Sequence, residues 1–78
     1  MTLELWSVRI GRPGGDDVFE VFLTYEAAYE FAVAWAYEHW HSALGPRPVV
    51  GGDALTRFFG GPQHWCVFEP RTLHVGEG

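Results

Sequence analysis

Lysine is missing from this chain of 78 residues, and so is asparagine; cysteine, methionine and isoleucine occur once each. The lack of lysine leaves five arginines to face ten Asp and Glu, a formal charge of −5. No basic stripe exists, so the chain is a poor ligand for a nucleic-acid backbone, whose binding needs clustered Lys and Arg. One cysteine, Cys66, permits no internal disulfide, which fits a reducing compartment. The opening Met-Thr-Leu-Glu-Leu-Trp-Ser-Val-Arg lacks the basic start and apolar run of a signal peptide. No apolar stretch nears the roughly 20 residues of a membrane span. A soluble, cytoplasmic protein is expected, without membrane contact. Scarce Lys, Asn and Ile beside abundant Gly, Ala, Arg and Pro point to a high-GC gene.

What the chain has is aromatic mass: four Trp, three Tyr and six Phe. Each aromatic buries roughly 150–250 Å². That supply matters, because a domain this small buries only about 60% of its unfolded surface. A single domain over residues 1–78 is expected, with no staple demanded and self-association open to it.

Leu3 to Ile10 and Val18 to Leu23 alternate as strands around the turn-rich stretch from Gly11 to Asp17, which predicts a hairpin. Phe19, Val21 and Leu23 share one side of the second strand; Val18, Glu20 and Phe22 share the other. Thr24 reads as an N-cap and Gly45-Pro46 as a stop, so a long helix is expected from Thr24 to Leu44. At about 100° per residue, Ala28, Phe31, Ala32, Trp35 and His39 fall on one face. Glu26, Glu30, Ala34, Tyr37, Glu38 and His41 fall on the opposite one. Tyr29 and Trp40 flank the apolar arc and suit a loop or a partner. Residues 46–61 form a Gly/Pro-rich connection with a short helical turn over 53–59, Asp53 its N-cap and Gly60 its stop. His64 to Glu69 and Thr72 to Val75 read as third and fourth strands around a Glu69-Pro70-Arg71 corner, with a loose end at 76–78. The expected class is α+β: a four-stranded antiparallel sheet (ββαββ) with one long helix on one face. Its other face is either an exposed apolar patch or covered by residues 46–61.

Little here suggests catalysis. His39 and His41 point about 200° apart on a helix and cannot share one metal. His64 and Cys66 do not complete a four-ligand zinc spacing. Cys66 lies in an apolar strand, where burial raises a thiol pKa and makes it inert. Gly11, Gly14 and Gly15 lack the order of a phosphate loop. Neither catalytic residues, a metal nor a cofactor is expected. The acids make more sense as a surface. Glu26 and Glu30 lie about 6 Å apart along the helix axis and Glu38 about 18 Å beyond Glu26, spacings of the order of neighbouring phosphates on one strand. Asp16, Asp17 and Glu20 add charge at the hairpin, and Tyr37 supplies an interface-type aromatic. These seven residues, Asp16, Asp17, Glu20, Glu26, Glu30, Tyr37 and Glu38, are the candidate partner-binding set for a basic protein.

The acidic, Lys-free chain running Met-Thr-Leu-Glu-Leu-Trp-Ser-Val-Arg-Ile-Gly-Arg-Pro-Gly-Gly-Asp-Asp, with a long helix between hairpins, resembles the small phage-encoded anti-CRISPR proteins. The resemblance is to those directed at type I Cascade complexes of high-GC bacteria, type I-C among them. It runs the full length but rests on no shared motif, so no residue role carries over. It implies an inhibitor in the bacterial host cytoplasm that docks on the crRNA- and DNA-binding backbone of Cascade and blocks target DNA. A charge of −5 suits a blocking wedge of mixed character better than full DNA mimicry. The alternative is a small interaction domain, antitoxin-like or a phage adaptor, monomeric or homodimeric.

Overall fold

A computed structural model describes residues 1–61, 64–74 and 76. The alternating N-terminal runs form the expected hairpin. Strand β1 (Thr2–Gly11) pairs antiparallel with β2 (Val18–Phe22), with Ile10 opposite Val18 and Trp6 opposite Phe22. Gly14 in the turn has φ +68°, a left-handed conformation that Gly adopts without Cβ strain.

Helix α1 (Tyr25–Glu38) starts where its cap predicts: the Thr24 hydroxyl accepts from the Ala27 amide at 3.1 Å. Replacing it with Ala leaves that amide without its partner. Thr24→Ala is therefore expected to lower unfolding free energy by about 1 kcal/mol, measurable as an earlier urea midpoint.

The helix stops six residues short of Leu44, and the reason is aromatic. At His39 the chain leaves helical geometry while its amide and its Nδ1 both reach the Trp35 carbonyl. Trp40 then donates its indole N–H to Gly45 O at 2.8 Å, bending the link into a 3₁₀ turn over Ser42–Leu44. The expectation that Trp40 meets a neighbouring loop holds.

Two further expectations need correction. There are two α-helices among the described residues, not one: the short turn near Asp53 is a full helix, α2 (Gly51–Phe59), capped at Val50 rather than Asp53 and ending at Gly60. There are three strands among the described residues, not four. Glu69-Pro70-Arg71 is no corner, because β3 runs unbroken from Trp65 to His74 along β1. The sheet order β2-β1-β3 puts β3 at an edge, where Pro is tolerated within a strand. Arg71 also ties that stretch down, donating from Nε to the Ser7 hydroxyl at 3.0 Å. Val75, expected in a fourth strand, lies outside the described residues, as do Glu77 and Gly78 of the expected loose end.

The structure also decides which row of β2 faces inward. Val18 and Phe22 pack toward the core, whereas Phe19, Val21 and Leu23 are exposed. Phe22 meets Phe31 of α1 at 5.2 Å between centroids. Phe19 is held on the far side by the guanidiniums of Arg9 and Arg71, 5.3 and 5.5 Å from its ring.

The core therefore lies between the inner sheet face and both helices. Val8 and Ile10 of β1 meet Ala28, Ala32, Trp35 and Ala36 of α1 and Phe58 of α2. The alanine ladder lets α1 approach the sheet closely. Residues 46–61 pack on the helix side, so they do not cover the outer sheet face.

Candidate functional site

Side chains converge at four places among the described residues.

The first is on α1. Tyr25, Glu26, Tyr29 and Glu30 line an open groove of about 300 Å³. Their spacing explains it: each Tyr-Glu pair recurs four residues on, so the tyrosines stack along one stripe and the carboxylates along the next. The rings of Tyr25 and Tyr29 lie 6.1 Å apart, and Tyr25 packs edge-on to Trp6 at 4.9 Å. Glu26, Glu30 and Glu38 are all exposed, and α1 contains no basic residue. None of these acids forms an ion pair among the described residues, where the Arg71–Glu69 contact at 3.8 Å is the pair seen.

The seven sequence-derived candidates do not form one patch. Glu26 and Glu30 share the tyrosine groove. Asp16 and Asp17 sit in the hairpin turn, where Arg12 donates to the Asp16 carbonyl at 3.0 Å. The strand from Trp6, beside Tyr25, to Ile10, beside the turn, covers about 14 Å. Glu20 is exposed on the edge strand β2, and Glu38 closes the far end of α1. Tyr37 is engaged internally: its hydroxyl donates to Pro48 O at 2.7 Å, and Arg47 lies over its ring at 5.8 Å. Its place beside the acids is taken by Tyr25 and Tyr29, which the repeated Tyr-Glu pair could have revealed.

The second place is the outer sheet face. Phe19, Val21, Trp65, Val67 and Leu73 are exposed there, with Arg9, Glu69 and Arg71 among them. Ser7 is buried beneath them, donating to Glu69 O at 3.4 Å and accepting from Arg71. Trp65 lies across Gly11, where any Cβ would overlap its indole. No described element covers this face.

The third is a histidine and aromatic cluster at the far end of the helices. His39 stacks on Trp35 at 3.9 Å; His64 packs on Phe58 at 4.7 Å; His41 meets the same ring at 6.3 Å. Desolvation lowers the His64 pKa below 6.5, helped by the like charges of His41 and His39. Folding thus favours neutral His64, while the unfolded chain takes up its proton near pH 6.5. This contribution is intact above that pH and is lost as pH falls through it, until the folded-state pKa is reached. The urea midpoint is accordingly expected to be lower at pH 5.5 than at pH 7.5, with the dependence reduced in His64→Gln. Among the described residues no group of three or more His, Cys, Asp or Glu is arranged to hold a metal ion.

Cys66 behaves as its apolar strand predicts: burial pushes the thiol up to about 11, far from a nucleophile's range. Its side chain lines the fourth place, a groove of about 360 Å³ with Leu55, Thr56, Phe59, Gly60 and Phe68, between α2 and β3.

No protein-family model matches the chain, and neither a curated protein nor a solved structure matches it. No described helix is long and apolar enough to cross a membrane.

Proposed function

We propose that this chain is a non-catalytic inhibitor that binds a basic nucleoprotein machine, a type I CRISPR surveillance complex, in the cytoplasm of a bacterial host. In this reading the acidic edge of α1 docks on the crRNA- and DNA-binding backbone of Cascade and keeps target DNA out of its groove. The observation that carries it is the Tyr25–Glu26–Tyr29–Glu30 groove, two uncompensated carboxylates framed by two tyrosines. Such a surface suits Arg- and Lys-rich protein: the charges steer encounter, and tyrosines concentrate binding energy. The anti-CRISPR resemblance supplies the class of partner. Neither cofactor nor direct nucleic-acid contact enters the mechanism.

The test has two stages. Tagged protein is used to capture its partner from a host bearing a type I system, and target-DNA binding by the captured complex is then measured with and without the inhibitor. Undiminished DNA binding by a saturated complex would end this reading.

The uncovered outer sheet face favours a second reading, an interaction domain of antitoxin or phage-adaptor type. Apolar, salt-insensitive association, or a homodimer by light scattering coupled to size exclusion, would support it over the first.

A further inference from the structure

Helix α1 lies over β1 and β2. Helix α2 packs on α1 and faces β3 across an apolar groove. Cys66 and Phe68, from the inner side of β3, form one wall; Leu55, Thr56 and Phe59 of α2 form the other. Beside that groove runs the outer edge of β3, which has no neighbouring strand among the described residues. An edge strand presents unpaired N–H and C=O groups that template a further strand. A strand added there would send alternate side chains into the groove and complete the layer under α2.

Pro70 sets the length of this site. It interrupts the row of amide donors partway along β3, leaving Trp65–Glu69, the half that flanks the groove, as the continuous segment. Five extended residues span about 17 Å. One strand spacing of that length is far below the ~800 Å² per partner of a stable dimer. The site is therefore of peptide size.

Charge defines one end. Tyr25 and Tyr29 meet the Phe68 ring at 5.6 and 6.4 Å, so they wall off the apolar groove at that end. The same two tyrosines line the groove that carries Glu26 and Glu30. A strand running along β3 toward Phe68 thus passes from an apolar trough to two unpaired carboxylates.

We infer that the edge of β3 and the groove under α2 bind an extended segment of another protein, apolar at alternate positions and basic at the end that meets Glu26 and Glu30. Main-chain pairing supplies affinity and the groove supplies selectivity, as in β-strand addition generally. The basic end rests on the acidic surface proposed above; the strand pairing does not.

The test uses the full chain, labelled with ¹⁵N, and a peptide, acetyl-Val-Thr-Val-Thr-Val-Arg-amide. Binding is expected to shift amide signals of Trp65–Glu69 and Leu55–Gly60. Only alternate amides of a strand face its neighbour. Of two peptides N-methylated on alternate residues, one is therefore expected to lose tenfold or more in affinity and the other to keep it. Thr56→Trp, at an exposed position on the groove lip, is expected to weaken the parent peptide by a similar factor. Replacing the peptide's Arg by Gln weakens binding, and the Glu26→Gln, Glu30→Gln double variant removes that difference. Absence of binding, equal tolerance of both methylation patterns, or indifference to the Arg overturns the inference. So does a dimer whose Trp65–Glu69 amides are protected, since a second copy then fills the edge. Peptide binding with no effect on a surveillance complex leaves this site standing and removes only the proposed target.

Discussion

Reversing both groove carboxylates, as Glu26→Arg with Glu30→Arg, is expected to weaken inhibition of target-DNA binding by about 100-fold while leaving the fold intact. Both side chains are exposed on α1 and carry no ion-pair partner among the described residues. Reversal therefore breaks no described ion pair, and surface changes of this kind usually alter stability by less than about 0.5 kcal/mol. Glu26 does lie in the first helical turn, where a negative charge is favoured. Arg there forfeits about 0.3–1 kcal/mol of helix-dipole stabilisation, too little to unfold the chain. Against an Arg- and Lys-rich partner, each reversal replaces attraction by repulsion. Taking about tenfold per site, the pair amounts to ~2.8 kcal/mol of binding free energy.

Salt separates this from a general loss of function. Screening shortens the reach of exposed charges to about 8 Å at 0.15 M and about 3 Å at 1 M. The parent chain is expected to lose inhibition as salt rises, while the double variant, already repelled, changes little. Reversing Asp16 and Asp17 as well separates two arrangements of the interface. Those acids lie beyond Ile10, about 14 Å along the strand from the Trp6 that Tyr25 packs on, so a contact confined to the tyrosine groove is insensitive to them. Full inhibition by the Glu26, Glu30 double variant would sink the acidic-edge mechanism.

The residues that could be read from sequence were those governed by local geometry. The hairpin follows from two alternating runs about a Gly-rich turn, and the start of α1 from a single hydroxyl at Thr24. Ala28, Ala32 and Ala36 repeat every four residues and are all fully buried. Positions decided by the sheet as a whole were not readable. Pro70 marks a turn in isolation, yet as part of an edge strand it sits opposite Trp6. Phe19, Val21 and Leu23 make the more apolar row of β2, but Glu20 on the other row escapes burial because β2 is also an edge. Arg9 and Arg71, distant in sequence, then hold Phe19 outward. The acidic candidates were legible in their placement alone: four-residue spacing on a helix sets Glu26 and Glu30 side by side, as the groove shows. Which tyrosine accompanies them depended on the path of residues 46–50, whose Pro48 carbonyl takes up Tyr37.

Trp35→Ala is expected to remove most of the stability of the fold. The indole is 7% exposed and stands where α1, α2 and the approach to β3 meet. It stacks on His39 at 3.9 Å and faces Phe58 at 5.7 Å, Phe59 at 6.2 Å and His64 at 6.0 Å. Few other side chains could fill the hole, because the neighbouring buried positions Ala32 and Ala36 on α1 have no reach. Truncating a buried Trp to Ala commonly costs about 3–5 kcal/mol. At roughly 0.05–0.15 kcal/mol per residue, a chain of this length holds only about 4–12 kcal/mol in total. With a urea dependence of about 1–2 kcal/mol per molar, the midpoint should fall by about 1.5–5 M. Trp35→Phe keeps a ring against His39 and Phe58, and is expected to retain more than half of the lost stability. Val49→Ala, at a residue 97% exposed, serves as the neutral control. A Trp35→Ala midpoint equal to that control would mean that α2 is not held through this ring. The groove beside β3 would then need a different support, since Leu55 and Phe59 reach it only while Phe58, on the adjoining face of the same helix, stays seated against Trp35.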